Sequence, residues 1–381
     1  MEECVPREIM VIAGEASGDH YGAGLIQRIR EKDPSITVWG MGGDRMKEKG
    51  MEPVRHIRGL DVMGFWDVLV NIRTFRNVFA ELKTRMESRR PDAVVCIDYP
   101  GFNIRFARAA HAADIPVVYF ISPKVWAWNA ARIPKLAETV TKMIVFFEFE
   151  KHAYEGSGLD VVCVGHPLVR ELEPYRNGKE KYRSLLSIPA SVPFAGILPG
   201  SREREVRRMF PVMLKAARIL KKKIPDIEYK AACAPSIDPG LLRSIADVSG
   251  ADVRITEGAA REIMAASDAL MITSGTATLE AGIIGTPHTV CYRIGTLTYF
   301  LIKPFLKTEH IGLVNVAAGK KVAEEFLQGD MKPGRIADEM ERLITDREAR
   351  ARVQDDMEQM RQTLNASDAY ARTADEILTV L

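Results

Sequence analysis

Short apolar runs, each closing on a cluster of Gly, Ser, Asp or Pro before an amphipathic stretch, recur along the chain and start afresh after Gly165-His166-Pro167. In the first series the runs cover 8–13, 92–97, 115–121, 142–147 and 160–164, with helical spacing at 22–32 and 103–113. In the second they cover 194–198, 227–233, 252–255, 268–273 and 288–292, with helical spacing at 203–223 and 275–285. Runs of this length separated by a helix each suit parallel strands, which need a crossover of a dozen or more residues. The rhythm therefore predicts two doubly wound α/β halves with a ligand cleft between them. At 381 residues the chain exceeds what one core usually organises, which agrees with two domains.

The helix expected at 203–223 places Met209, Val212, Met213, Ala216, Ile219 and Leu220 on one stripe and ends in Lys221-Lys222-Lys223, the charge that suits a helix C-terminus. Beyond about residue 332 the pattern is helical and charged, closing on Ala366, Ala369, Ala371, Ala374, Ile377 and Leu378. This tail is expected to cross back onto the first half. The domain reading is thus 1–165 together with a helix over about 364–381, and 166–363.

Charge and cysteine usage narrow the function classes. The 53 basic and 51 acidic residues nearly cancel, which argues against a nucleic-acid binder held by phosphate contacts over its whole surface. Five cysteines, Cys4, Cys96, Cys163, Cys233 and Cys291, stand singly and read as thiols in a reducing compartment. A strand begins almost at once, at Ile9, leaving no room for a signal peptide, and no apolar run reaches the roughly 18 residues that span a bilayer. The expectation is a cytoplasmic protein, soluble or peripheral on a membrane.

Four strand ends carry chemistry. The first strand enters Gly14-Glu15-Ala16-Ser17-Gly18-Asp19-His20, a small-residue turn opening a helix where backbone N–H groups can meet an anion. Ser17 or Asp19 as a simple cap would explain the glycines but not the crowding of Glu15, Asp19 and His20. The strand at 92–97 delivers Asp98 to the sheet edge, a position suited to a general base, with capping of the next helix by Asp98 or Asn103 as the plain alternative. The strand at 194–198 runs into Pro199-Gly200-Ser201-Arg202, whose N–H donors and guanidinium suit a diphosphate. The strand at 268–273 runs into Ser274-Gly275-Thr276, a second phosphate-type turn, with Glu280 one helical turn on and able to accept from a ribose diol. Neither a Gly-x-Gly-x-x-Gly fingerprint nor a P-loop occurs, and no His/Cys cluster or Asp-x-Asp pair suggests a metal; no cofactor is expected.

Two stretches mix apolar and aromatic residues with nearby cations. One, 60–76, holds Val62, Met63, Phe65, Trp66 and Leu69 with Arg73 and Arg76; the other is 299–307. Either could be a core helix. Both also fit contact with anionic lipid, the first more than the second.

Taken together, Ala13-Gly14-Glu15-Ala16-Ser17-Gly18-Asp19, Gly40-Met41-Gly42-Gly43, Asp98-Tyr99-Pro100-Gly101-Phe102-Asn103, Ser122-Pro123-Lys124-Val125-Trp126-Ala127-Trp128, Val164-Gly165-His166-Pro167, Leu198-Pro199-Gly200-Ser201-Arg202 and Ser274-Gly275-Thr276-Ala277-Thr278-Leu279-Glu280 resemble, in order, the lipid-A-disaccharide synthase family. The resemblance implies a GT-B fold of two facing Rossmann-like domains, the first taking the acceptor and the second the UDP-sugar. It implies transfer of 2,3-diacylglucosamine from its UDP derivative to 2,3-diacylglucosamine 1-phosphate by a single inverting displacement. It also implies Asp98 as an essential residue and the candidate base, Arg202 at the diphosphate, and Glu280 and Asn315 in the donor site. The expected setting is the cytoplasmic surface of the inner membrane of a Gram-negative-type cell, as monomer or homodimer. Where the family tends to have Leu-Pro-Phe-Glu this chain has Phe147-Glu148-Phe149-Glu150, and Leu313-Val314 stands where a Leu-Pro pair is usual. A UDP-sugar epimerase on the same fold, or a non-catalytic lipid- or nucleotide-binding protein, are the alternatives.

Overall fold

A computed structural model describes residues 7–58, 72–126, 130–295, 309–364 and 367–381. The chain divides into two compact units, one formed by Met1–Pro167 with Ser367–Leu381 and the other by Leu168–Ala366.

The first unit is built on a seven-stranded sheet in the order β3-β2-β1-β4-β5-β6-β7. Its strands are β1 Glu8–Ala13, β2 Thr37–Gly42, β3 Glu52–His56, β4 Ala93–Ile97, β5 Val117–Phe120, β6 Lys142–Val145 and β7 Asp160–Cys163. Every pairing is parallel. The central strands are buried on both faces, which is why β1 and β4 are unbroken apolar runs. Because β1 lies between β2 and β4, the strand order reverses there, and the loops leaving β1 and β4 flank a topological switch point.

The second unit repeats the plan with six strands in the order β10-β9-β8-β11-β12-β13. These are β8 Phe194–Leu198, β9 Glu228–Cys233, β10 Arg254–Glu257, β11 Ala269–Thr273, β12 His288–Tyr292 and β13 Glu324–Leu327. All pair in parallel. Its switch point lies between β8 and β11. The helix Glu203–Lys223 covers one face through Val206, Met209, Phe210, Met213, Leu214, Ala216, Ala217 and Leu220, while Val212 and Ile219 pack only partly into that core.

The tail helix Ala369–Leu378 belongs to the first unit and packs on the helix Ala16–Lys32. Gly24 makes room there, since a β-carbon on it would sit 2.6 Å from the Tyr370 ring. Polar ties add register: Arg372 donates to the Cys163 and Val164 carbonyls at 3.0 and 3.1 Å, Arg28 pairs with Asp368 at 2.8 Å and Lys142 with Glu376 at 2.6 Å. No helix among the described residues is long and apolar enough to cross a membrane.

Candidate active site

In the first unit Asp98 is the residue immediately after β4, and its backbone is unusual. Asp98 and Tyr99 both have positive φ, 44° and 48°, a left-handed conformation that costs about 1–3 kcal/mol per non-glycine residue and persists only where the surroundings over-determine it. Here they do. The Asp98 N–H donates to the Phe120 carbonyl at 2.9 Å, and the Asp98 carbonyl accepts from Tyr119 Oη at 2.7 Å and Asn103 Nδ2 at 2.8 Å. Neither Asp98 nor Asn103 caps the following helix: it starts at Pro100 with Tyr99 as its N-cap, and Asn103, fully buried, also donates to the Ile12 and Ile97 carbonyls. Asn103 thus binds the ends of β1 and β4 together.

The half-buried Asp98 carboxyl has its pKa pushed up to about 6. Burial is the main cause, and the negative charge of Glu15 adds to it, while the Lys124 ammonium and the Tyr99 N–H act the other way. A carboxylate near neutrality, rigidly held at a sheet edge, is a competent general base.

The structure sorts the crowd on the β1 loop. Glu15 is the N-cap residue of the Ala16–Lys32 helix and forms no side-chain cap, so neither Ser17 nor Asp19 serves as that cap. Asp19 instead turns inward and accepts from the N–H groups of Gly43, Met46 and Arg45 at 2.7, 3.0 and 3.2 Å, holding the start of the short Asp44–Glu48 helix. Its carboxylate is engaged in structure. Gly18 is buried against Ala13, Ser17 is exposed, and His20 meets Arg45 at 2.9 Å.

In the second unit a cavity of about 300 Å³ opens at the switch point, lined by Pro199, Gly200, Ser201, Glu205, Thr273–Ala277 and Glu280 among others. Gly200 has φ +116°, and a β-carbon there would press on Glu205 at 3.0 Å. Arg202, the exposed N-cap residue of the Glu203–Lys223 helix, donates to Glu205 at 3.0 Å. Ser274 Oγ donates to the Ile311 carbonyl at 3.1 Å, Gly275 is the N-cap of the Thr276–Ile284 helix with open space where a side chain would stand, and Thr276 is exposed. Glu280 receives two bonds on one oxygen, Oε1, from Arg261 Nε at 3.0 Å and Nη2 at 2.8 Å, so its Oε2 keeps its accepting capacity.

Asn315 is placed by the fold rather than offered to solvent. Its Nδ2 donates to the Ala323 carbonyl and Glu325 Oε1, and its Oδ1 accepts from the Val322 and Ala323 N–H groups, each at 2.8 Å. That exhausts the hydrogen-bonding capacity of the amide. Glu325 in turn accepts from the N–H groups of Ile311 and Gly312, so Asn315 steadies the segment whose carbonyl holds Ser274.

Arg261 and Thr273 carried no sequence signal as individual residues. Thr273 is nearly fully buried beside the cavity, with a hydroxyl that has no hydrogen-bond partner among the described residues. Among the described residues no group of three or more His, Cys, Asp or Glu side chains is arranged to hold a metal. The proposed lipid-contact residues Val62, Met63, Phe65, Trp66 and Leu69, and the stretch 299–307, lie outside the described residues.

Comparison with known proteins identifies the family and the fold. The model of the family described as lipid-A-disaccharide synthetase matches residues 9–378. The lipid-A-disaccharide synthase of Anaeromyxobacter dehalogenans is 37% identical over 375 residues, covering 98% of this chain and 97% of its own, and that of Geobacter sulfurreducens is 34% identical over 381 residues, covering 100% and 99%. Among solved structures, the calicheamicin glycosyltransferase CalG4 aligns with a TM-score of 0.63 at 16% identity, covering 99% of this chain and 98% of that one. S. aureus MnaA in a UDP co-structure aligns with a TM-score of 0.63 at 14% identity, covering 98% of each chain. At such identities they speak for the fold alone, which is GT-B. The chain is a glycosyltransferase of the lipid-A-disaccharide synthase family.

Proposed function

We propose that the donor is UDP-2,3-diacylglucosamine, held on the second unit, and the acceptor 2,3-diacylglucosamine 1-phosphate, activated on the first. Asp98 takes the proton of the acceptor hydroxyl as that oxygen attacks the anomeric carbon from the face opposite UDP. The bond to the diphosphate breaks, configuration inverts, and the products are the β-linked disaccharide 1-phosphate and UDP. Ser201, Arg202 and the Ser274–Thr276 turn meet the departing diphosphate, and Glu280 Oε2 accepts from the ribose diol. Glu15, beside Asp98, keeps its pKa high enough for the proton to be taken near neutral pH. Asp19 and Asn315 serve the substrate through the loops they hold.

The observation that carries this reading is a carboxyl with a pKa of about 6 on a strained, over-determined backbone at a switch point. Incubation with the UDP-sugar, with and without the monosaccharide phosphate, tests it: UDP release must depend on the acceptor. Release without acceptor points to epimerase-type chemistry and overturns it.

Membrane contact follows from the substrates. Each buried methylene contributes about 0.8 kcal/mol, so diacylated sugars stay in the bilayer and the enzyme must come to them. We assign that contact to 60–76, at the cytoplasmic surface of the inner membrane. Replacing Phe65 and Trp66 with serine is expected to weaken liposome binding while leaving folding intact; unchanged binding overturns the assignment.

A further inference from the structure

The loops that leave β2 and β4 open on the same carboxyl edge of the first sheet, because these strands run parallel to β1. β1 is the single strand between them, so two inter-strand spacings, about 10 Å, separate the loop after β2 from Asp98 after β4. The β1 loop spans that interval, with Gly14 against the Tyr99 ring at one end and Asp19 at the other. The Asp19 carboxylate takes up the N–H groups of Gly43, Arg45 and Met46, and a β-carbon on Gly43 would stand 2.6 Å from it.

This close approach brings Arg45 to His20, the residue after Asp19, with Arg45 Nη1 2.9 Å from His20 Nδ1. A guanidinium can only donate, so Nδ1 accepts, and the imidazole orients the cation without cancelling its charge. The neighbouring acid Asp44 is engaged elsewhere, by His56 at 3.3 Å and Arg58 at 3.1 Å. Arg45 is exposed, and among the described residues no carboxylate lies within ion-pair distance of its guanidinium.

We propose that Arg45 binds the phosphate of the acceptor, with His20 as the residue that positions its guanidinium. The inference rests on the acceptor lying on the first unit with its hydroxyl at Asp98. A hexose with the reacting hydroxyl at one end and a phosphate monoester at the other needs a cation about a sugar's length from the base. The β2 loop places Arg45 at that remove. A guanidinium suits the task, since two of its N–H groups can meet two phosphate oxygens in parallel. The backbone N–H groups of Gly43, Arg45 and Met46 are already occupied by Asp19, so the side chain carries the contact. Arg45 thereby selects the phosphorylated monosaccharide and sets which end of it faces Asp98.

Steady-state kinetics in phospholipid-free detergent micelles, with 2,3-diacylglucosamine 1-phosphate and 2,3-diacylglucosamine as rival acceptors, tests this. A hydrogen bond to a charged group is worth roughly 10- to 100-fold in binding, so Arg45→Met is expected to shrink the kcat/KM preference for the phosphorylated acceptor by that factor. The acceptor KM should rise while the KM for the UDP-sugar stays that of the parent. Arg45→Lys keeps a point charge and should recover part of the preference, and His20→Ala should lose less of it than Arg45→Met. An Arg45→Met enzyme with the parent's preference overturns the proposal. So does one that loses both acceptors equally, which marks a structural role, or a parent that shows no preference. An unchanged preference in micelles with weaker binding of Arg45→Met to anionic phospholipid vesicles assigns the cation to lipid headgroups, and overturns it as well. If the parent releases UDP without any acceptor, the underlying reading falls, and this inference with it.

Discussion

The Tyr99 ring lies so close over Gly14 that a β-carbon on residue 14 would come within 2.1 Å of Tyr99 Cδ1. This contact ties the β1 loop, which carries Glu15, to the left-handed pair that presents Asp98. Gly14→Ala must displace the ring, and overpacking of this kind costs about 1–3 kcal/mol. Turnover is expected to fall at least ~10-fold because the base is misplaced, while far-UV circular dichroism stays that of the parent. Parental turnover would show that the Tyr99 contact does not position Asp98.

Asp98→Asn keeps shape and removes the base, and a general base contributes roughly 10²–10⁴-fold, so turnover should drop by that order with the melting temperature little changed. The parent's pH dependence has a definite sign. The base works ionised, so activity falls as pH drops through about 6 and is flat above it. Steady-state kinetics between pH 5 and 8.5 measures both.

Asn315→Ala leaves the Val322 and Ala323 N–H groups and the Ala323 carbonyl without the partners they have now. Each buried polar group left unsatisfied costs about 1–3 kcal/mol, so a loss of at least ~2 kcal/mol is expected in urea unfolding. Because the same amide steadies Glu325 and through it Ile311, UDP affinity measured by calorimetry should weaken as well.

His288 is fully buried on β12, and burial lowers its pKa from 6.5 to about 4, against the opposing bond to the Thr286 carbonyl. A base whose folded pKa is depressed stabilises the fold where it is neutral in both states, above the unfolded pKa of about 6.5. That stability is lost as pH falls from about 6.5 toward 4, by an amount of order 3 kcal/mol. Urea unfolding of the parent should weaken between pH 7.5 and 5 more steeply than that of His288→Gln.

The strands of both sheet centres are legible because burial on both faces leaves a plain apolar run ending in turn residues, as in Ala93–Ile97 and Ala269–Thr273. The edge strands β3 and β13 were not, since Glu52, Arg55, Glu324 and Glu325 break the apolar pattern where one side of the strand is unpaired. β2 escaped for another reason: Gly40 and Gly42 read as a turn, yet Gly40 is needed in the strand because a β-carbon there would strike the Val11 carbonyl oxygen at 2.1 Å.

Residue types at strand ends announce chemistry, and by itself the sequence placed Asp98, Ser201, Arg202 and Ser274–Thr276 at such ends and, through its ordered motifs, marked the family. Which of Glu15 and Asp19 stays near the base, that Arg261 fixes Glu280, that Asn315 works through Glu325, and that Ser122 and Trp126 meet Tyr154 and Phe149 were decided only in three dimensions. Periodicity is a local property of the chain. Arg261 and Glu280 are separated by the strand β11, and Ser122 and Tyr154 by helices and the strand β6, and only packing brings each pair within hydrogen-bond reach.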